Sequence, residues 1–442
     1  MLDEVSTQKG VAALRTDVKI SEEGLLTDDF VRQLINVGEV DILVGLPTYN
    51  NAKTVGPVVA AIQSGILQWF PRDRAAIINA DAGSRDGTPE MVVGASIDDV
   101  RRRDFNRVAL RTLHSISMQY GSTVARGTAL RTVLAAGELL QAKATAIISP
   151  DSTNIKADWL RDLLKPICTD NFDLVLPTYA RHKFEGILVT NLLYPMTRAL
   201  YGLRIREPYA SEFAFSSRLG SQFLAQNQWN DDGAGEGSEV RLTLAAITGG
   251  LRIGQSFLGA KNHTDRHAAD LVPALRQTVG VLFWSMDSNF SLWSSKTGSQ
   301  PIPTTGAEQE FTHDPRRVNR KRLHEMFRSG VAELASVFQS ILSPATLGEL
   351  QQIAGLAEED FYYSAELWVR TVYEFAVAHH KAVISRDHIV QALAPLFRGR
   401  AFTFLMENRN SSADEVEANV ESLCLEFERL KPYMLEMWSG KK

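Results

Sequence analysis

Between residues 40 and 180 the chain switches repeatedly between two hydrophobic patterns, and this alternation limits its fold more than any other feature. Short runs rich in Val and Ile ("DILVGLP", "AAIINADAG", "RVALRTLHS", "ATAIISPD" and "FDLVLPTYA") are separated by segments with helical spacing. Those segments are "TVGPVVAAIQSGILQWF", "TPEMVVGASI", "RGTALRTVLAAGELLQA" and "ADWLRDLLKPI". Strand and helix alternating in this way specify βαβ units on a mostly parallel sheet, an α/β fold. Ligands of such a sheet bind outside the carboxyl ends of its strands. The polar residues that end these runs, Thr48, Asp81 and Asp151, therefore mark where function is expected.

The rest of the chain is patterned differently. Residues 1–38 make a polar and amphipathic lead, in which "TDDFVRQLINVG" predicts a short helix capped by Thr27 or Asp28 and stopped at Gly38. Residues 39–268 hold the α/β domain. Beyond residue 268 the strand signals vanish, and 269–442 reads as an all-α domain. There "LVPALRQTVGVLFWSMDSNFSLW" is expected to be one long apolar helix, and the Gly-, Pro-, Ser- and Thr-rich stretch 295–318 a linker.

Composition narrows the function classes. A chain of 442 residues is too long for one ordinary core. With 47 basic and 52 acidic residues the net charge is -5, which gives no general pull toward nucleic acid or anionic lipid. Cys168 and Cys424 are the only cysteines, so neither a disulfide framework nor a multi-thiolate metal site can be built, as suits a reducing compartment. No apolar run approaches the roughly 18 residues that a membrane helix needs. The acidic start lacks the basic and apolar regions of a signal peptide. The expectation is a cytoplasmic protein with no nucleic-acid or membrane partner.

Four pieces of the α/β part carry candidate chemistry. In "GLPTYNNAKTV" a strand ends in Pro47, Thr48, Tyr49, Asn50 and Asn51 before a helix, where backbone donors suit a nucleotide. In "INADAGSRDGT" Asp81 ends a strand and offers an acceptor to a base N–H or a ribose hydroxyl. Turn chemistry explains each of these segments equally well when taken alone. In "ARGTALRTVLAAG" Gly127 permits close backbone approach and Arg126 adds a fixed positive charge. In "ATAIISPDSTNIKADWL" Asp151 follows the most apolar strand, where a hard divalent cation can bridge it to a diphosphate.

In this order the four pieces resemble the nucleotide-sugar glycosyltransferases of the GT-A fold. In those enzymes the first turn and a D-x-G-S-x-D-G-T segment hold the nucleoside, and a D-x-D holds the metal. "NADAGSRDGT" is a specific match. The D-x-D position reads Ser149-Pro150-Asp151, so only its second acid is present.

Further along, "REPYASEFAFSSRL" and "GSEVRLTLAAITGGLRIGQSFLGAKNH" are similar to the retaining enzymes that make mannosylglycerate, glucosylglycerate or glucosyl-3-phosphoglycerate. The family's P-x-x-x-E segment falls on Pro208 and Glu212, its later helical acid on Glu239, and its Gly-x-basic-x-His end on Gly259, Lys261 and His263. Arg126-Gly127 stands where the family has Lys-Gly. "ELWVRTVYEFAVAHH" and "LAPLFRGRAFTFLMEN" resemble the aromatic C-terminal helices of mannosylglycerate synthase.

This resemblance implies a retaining hexosyl transfer from UDP-glucose, GDP-glucose or GDP-mannose, with Mg²⁺ or Mn²⁺ held by Asp151 and His263. Pro47, Thr48, Tyr49, Asn51, Asp81, Arg126, Gly127 and Asp151 would bind the donor. Glu212 or Glu239 would orient hydroxyls, with Glu212 preferred because "EPYASEF" reads as a loop at a strand end. Thr190 falls on the family's acceptor-contacting Thr. The phosphate users place an Arg just before that Thr, and "GILVT" has none, which favours an unphosphorylated acid such as glycerate. Arg181, His182 or Lys183 can compensate, which keeps 3-phosphoglycerate as an alternative. A nucleotide-sugar-binding protein without catalysis is the other reading. Trp368, Tyr373 and Phe404 in the tail suit either a homodimer surface or a core.

Overall fold

The computed structural model describes residues 26–93, 114–119, 126–226, 237–261, 271–306 and 319–440. Its eight strands are β1 (Ile42–Thr48), β2 (Ala75–Asp81), β3 (His114–Gln119), β4 (Ala144–Ile147), β5 (Leu174–Ala180), β6 (Phe213–Ser216), β7 (Ile253–Ala260) and β8 (Thr304–Thr305). They form one sheet in the order β3-β2-β1-β4-β6-β5-β7-β8. Every neighbouring pair is parallel except those of β6, which runs antiparallel to both β4 and β5. This is the mostly parallel α/β sheet expected. The expected strand "RVALRTLHS" is described only from His114 onward; residues 107–113 lie outside the described residues.

Alternation along β1 sets the two faces of the sheet, because successive side chains of a strand point opposite ways. Ile42, Val44 and Leu46 pack against α2 (Val55–Trp69) and α4 (Ala157–Asp170) through Val55, Val59, Ile62, Trp159 and Leu163. Leu43 faces the other way, toward α3 (Arg126–Leu139). Gly45 lies beneath α3: a Cβ there would stand 2.6 Å from Val133 and 2.9 Å from Ile147, so the helix seats only on a bare backbone.

The described part of the N-terminal lead, from Leu26 onward, is part of this core. In α1 (Asp28–Val37) Thr27 is the cap, accepting from the Phe30 N–H at 3.3 Å, and Gly38 ends the helix. Phe30, Leu34 and Val37 pack into the cluster that holds Leu130 and Val133 of α3.

The same cluster continues without a break into the helical region. Here α8 (Leu271–Leu275), a π turn (Arg276–Gly280) and α9 (Val281–Ser288) follow directly on one another, and α10 (Phe290–Ser294) comes after Asn289. The expected single helix is thus interrupted, because the Asn289 amide donates to the Ser285 carbonyl at 2.8 Å and its backbone leaves the helical region. The expected linker at 295–318 contains β8, which pairs with β7; two residues are too few to show a strand pattern. Residues 307–318 lie outside the described residues.

Six further helices complete the region: α11 (Arg320–Glu333), α12 (Ala335–Ile341), α13 (Pro344–Ala354), α14 (Ala365–Lys381), α15 (Arg386–Glu407) and α16 (Ala413–Trp438). Trp368, Tyr373 and Phe404 are buried within the chain as core residues. No helix among the described residues is long and apolar enough to cross a membrane.

Arg198 ties the helical region to the sheet. It lies in α5 (Tyr194–Tyr201), with its side chain wholly buried, and binds Glu421 of α16 through two bonds of 2.5 and 2.8 Å. Its Nε also reaches Glu428 at 2.7 Å and the Ser299 hydroxyl at 2.8 Å. Removing one partner of such a network leaves desolvated charge behind. Arg198→Met is therefore expected to cost about 3 kcal/mol or more, read as a lowered midpoint of urea unfolding.

Candidate active site

The first two sequence pieces meet because β1 and β2 lie in register with Thr48 opposite Asp81. Asp81 is wholly buried. Its Oδ1 accepts from the Thr48 hydroxyl at 2.8 Å and the Ser84 hydroxyl at 2.6 Å, and its Oδ2 from the Gly83 and Ser84 N–H groups at 3.0 and 2.8 Å. Gly83, at φ 82°, allows the chain to fold back over the carboxylate. The same hydroxyl lies 2.7 Å from the Asn79 side-chain oxygen, so its one proton is shared between the two acceptors. The carboxylate that the sequence offers to a nucleoside is thus also the staple of the β2 turn.

The two turns are sewn together above that staple. Ser84 Oγ accepts from the Asn50 N–H at 2.8 Å, Thr88 Oγ1 from the Asn51 N–H at 2.8 Å, and Asp86 Oδ2 from the Ala52 N–H at 3.0 Å. In return the Asn50 side chain accepts from the Arg85 N–H at 3.1 Å. Pro47 and Asn51 are at least half-buried, whereas Tyr49, between them in the turn, is 46% exposed.

Asp151 joins the same constellation from β4. Its Oδ1 accepts from Asn51 Nδ2 at 2.7 Å, a contact spanning 100 residues of sequence, and from the Thr54 hydroxyl at 3.4 Å. Asp151 is partly exposed at the rim. As for a divalent ion, no group of three or more His, Cys, Asp or Glu side chains gathers among the described residues. A single rim carboxylate fits an ion that keeps waters and takes its other ligands from substrate phosphates, as Mg²⁺ does. His263 lies outside the described residues.

Directly behind Asp151 runs a belt of buried polar side chains. Glu212 precedes β6 and is wholly buried; its Oε1 accepts from the Ser152 hydroxyl, and its Oε2 from the Tyr179 hydroxyl at 2.6 Å and the Lys261 ammonium at 2.5 Å. Burial pushes the Glu212 carboxyl up, but the Lys261 charge and the three donors outweigh it and hold it down at about 2. Burial presses Lys261 toward its neutral form, and the adjoining carboxylate opposes that. The three donors on one carboxylate identify the charged pair as the form this geometry accommodates. Burial and then the neighbouring Glu212 charge raise Tyr179 well above the usual phenol range.

The other side of the Tyr179 ring system leads to the expected acceptor residues. Arg181 lies 5.1 Å from the Tyr179 ring centroid and binds buried Glu207 through two bonds of 2.7 and 2.9 Å. A Cβ on Gly186 would sit 3.4 Å from the Arg181 side chain, and the Gly186 carbonyl accepts from the Thr190 N–H at 3.0 Å. Thr190 is buried at the start of a π turn (Val189–Leu193), an irregularity often found at functional sites. The helical region clamps this loop. The Trp368 indole donates to the Asn191 carbonyl at 2.8 Å, Arg400 to the Asn191 side chain at 3.1 Å, and Lys183 to the Arg409 and Ser411 carbonyls at 2.9 and 3.0 Å.

Glu239 sits in the first turn of α7 (Ser238–Thr248), the helix after α6 (Ser217–Leu224), and lines a narrow cleft of about 10 Å³ with Pro47, Ala129, Leu130, Ile147 and Phe213. The cleft lies between the end of β1 and the first turns of α3, where Gly127 is buried. Arg126 opens α3; its side chain lies outside the described residues. The rim thus brings together Pro47, Thr48, Tyr49, Asn51, Asp81 and Asp151, and sets Glu212, Glu239, Arg181 and Thr190 around them. Sequence reading missed Asn79, Ser152, Tyr179 and Glu207, which hold the expected residues in place. Hydroxyl and amide residues at strand ends were the only available signal.

A direct test of the β2 staple is Asp81→Asn. An amide nitrogen cannot accept from Gly83 and Ser84, so a loss of about 2–3 kcal/mol is expected, with faster amide exchange at those two residues.

No family model matches this chain, and no curated protein matches it. Among solved structures, glucosyl-3-phosphoglycerate synthase from Mycobacterium tuberculosis in complex with Mn²⁺, UDP and glucosyl-3-phosphoglycerate is 22% identical. That match covers 59% of this chain and 84% of the other, with a TM-score of 0.41. The same synthase with Mg²⁺ and UDP matches at 22% identity over 57% of this chain and 82% of the other, TM-score 0.41. With Mn²⁺, UDP-glucose and phosphoglyceric acid the values are 20%, 59%, 83% and 0.42. These are likenesses to those proteins, at values that carry no chemistry across to this one.

Proposed function

We propose that this chain is a GT-A glycosyltransferase that moves glucose or mannose from UDP-glucose, GDP-glucose or GDP-mannose to a hydroxyl of a small unphosphorylated acid such as glycerate, with retention at the anomeric carbon. The observation that carries this reading is the convergence of three sequence pieces on one rim, joined by the 2.7 Å bond from Asn51 to Asp151. Strand ends of a parallel sheet are where such a fold binds its ligand. The motif order and the local geometry point to the same chemistry.

The roles follow from position. Pro47, Thr48, Tyr49 and Asn51 form the double turn that takes the nucleoside, with the exposed Tyr49 ring available to the base, and buried Asp81 holds that turn in shape. Arg126 and Gly127, opening α3, serve the diphosphate at a helix N-terminus. Asp151 and His263 are the residues that would hold Mg²⁺ or Mn²⁺, which supplies charge neutralisation at the leaving diphosphate when bound. The bond from the anomeric carbon to the diphosphate breaks as the acceptor oxygen attacks from the same face, and the acceptor proton passes to the leaving oxygen. Glu239, in the first turn of α7, would accept from a sugar or acceptor hydroxyl. Glu212, preferred from the sequence, is engaged by protein partners at both oxygens.

Local charge supports an acceptor without phosphate. The Arg181 guanidinium already meets the Glu207 carboxylate, and the Lys183 ammonium is spent on two carbonyls. A dianionic phosphate needs an uncommitted bidentate donor.

Crossing the three donors with glycerate and 3-phosphoglycerate tests the proposal, with products identified by mass spectrometry. Glycerate is expected to be glycosylated in the presence of Mn²⁺ or Mg²⁺ and not in EDTA. Asp151→Ala and His263→Ala are each expected to lower transfer by at least 100-fold while leaving thermal unfolding nearly unchanged. Full activity in either would remove the metal assignment. Glu207→Gln, which releases Arg181, is expected to raise the kcat/KM ratio of 3-phosphoglycerate to glycerate about tenfold. An unchanged ratio in the folded variant would remove Arg181 and Glu207 from acceptor selection.

A further inference from the structure

We infer that Glu212 is a positioning residue: it fixes the Asp151 turn against the end of β7, and it touches neither donor nor acceptor. The inference rests on the proposed function for the meaning of Asp151, and on geometry for everything else.

The partners of Glu212 come from three different strand ends. Ser152 follows β4, Tyr179 belongs to β5, and Lys261 follows β7. With Glu212 itself preceding β6, the belt covers four consecutive places in the sheet, β4-β6-β5-β7. Ser152 is the residue next to Asp151, and Lys261 stands two residues before His263. One carboxylate therefore links the two segments that carry the proposed metal ligands. A second, independent tie joins the same segments, since Asn154 of the Asp151 turn donates its amide to the carbonyl of Ala260, the last residue of β7.

The burial of this belt argues for precision over stability. Glu212 and Lys261 have side-chain exposures of 0% and 2%, and a buried ion pair commonly stabilises no better than an apolar pair of similar volume. What the ionic belt adds is direction. Each oxygen of the carboxylate accepts from defined donors, so the Asp151 turn cannot slide along the rim without breaking a bond in a dry environment. Glu212 is wholly buried, with three protein donors on its roughly four acceptor sites, so a sugar hydroxyl at the rim does not reach it. Outer partners of this kind typically change metal affinity by 10- to 100-fold when removed.

Three variants separate positioning from the alternatives: Glu212→Gln, Ser152→Ala and Tyr179→Phe. Ser152→Ala cuts the link to the Asp151 turn, whereas Tyr179→Phe removes a bond to the same carboxylate that does not reach the turn. Mn²⁺ binding in the presence of UDP or GDP is followed by electron paramagnetic resonance, alongside thermal unfolding and steady-state kinetics. About a tenfold weaker Mn²⁺ affinity is expected for Ser152→Ala, a larger loss for Glu212→Gln, and wild-type affinity for Tyr179→Phe.

Wild-type Mn²⁺ affinity in Ser152→Ala and Glu212→Gln with a fall confined to kcat would overturn the inference and make Glu212 a catalytic residue. Equal loss in Ser152→Ala and Tyr179→Phe, tracking their unfolding temperatures, would overturn it in favour of a purely structural role. Should Glu212→Gln not fold, the comparison of the other two decides. If the wild-type protein binds no Mn²⁺ with either nucleotide, the proposed function itself falls, a result distinct from wild-type binding that the variants leave unchanged.

Discussion

The reversal of one short strand organises the rim of the sheet. Because β6 runs antiparallel between β4 and β5, its first residue, Phe213, lies opposite Ile147, the last residue of β4, while β5 runs on past it to Ala180. That geometry delivers Glu212 to the level of Ser152, Tyr179 and Lys261. A parallel strand at this place would present its last residues there, and the segment before it would lie at the opposite edge. The segment that leads into β6 also supplies Glu207, the counter-ion of Arg181. Glu207 and Glu212 thus both depend on a four-residue strand that contributes little to the sheet by length.

The helical region completes the site from the far side. Trp368 and Arg400 fix the backbone carbonyl and the side-chain oxygen of Asn191, and Lys183 is held by the carbonyls between α15 and α16. The loop from Arg181 to Thr190 therefore takes its shape from residues more than 170 positions away in sequence. Gly237, at φ 67°, shows how tight this junction is: a Cβ there would fall 2.0 Å from the Gln277 carbonyl oxygen. This residue immediately precedes the helix that carries Glu239, so the helical region sets the position of that acid as well.

Much of this was legible in the sequence because parallel strands announce themselves. The runs that form β1, β2 and β4 are buried on both faces, and the polar residues at or just beyond their ends, Thr48, Asp81 and Asp151, stand out from them in the sequence. What stayed hidden was set by tertiary contact. β8 has two residues and exists only through pairing with β7. The π turn at Thr190 has no signature in periodicity. The loop character of "EPYASEF" favoured Glu212 over Glu239, yet loop character cannot reveal that a lysine at the end of β7 would claim the carboxylate. Pairings between residues 49 apart, such as Glu212 with Lys261, follow from strand order, which composition does not encode.

Charge around Tyr179 connects these points. Lys261 and Arg181 lie 4.7 and 5.1 Å from its ring centroid, and each cation is matched by its own buried carboxylate. Burial alone would discharge Lys261, so the acids are needed to keep the belt ionic. The ground between the β1–β2 rim and the Thr190 loop is consequently neutral in sum, though built from four charges. On the proposed function, a diphosphate and a small acid brought to such a surface would meet no large fixed field from behind. Their negative charge would then be balanced at the rim itself, where Asp151 adds to it. A carboxylate in that place repels a diphosphate unless a cation stands between them, and the neutrality of the belt leaves that requirement undiminished.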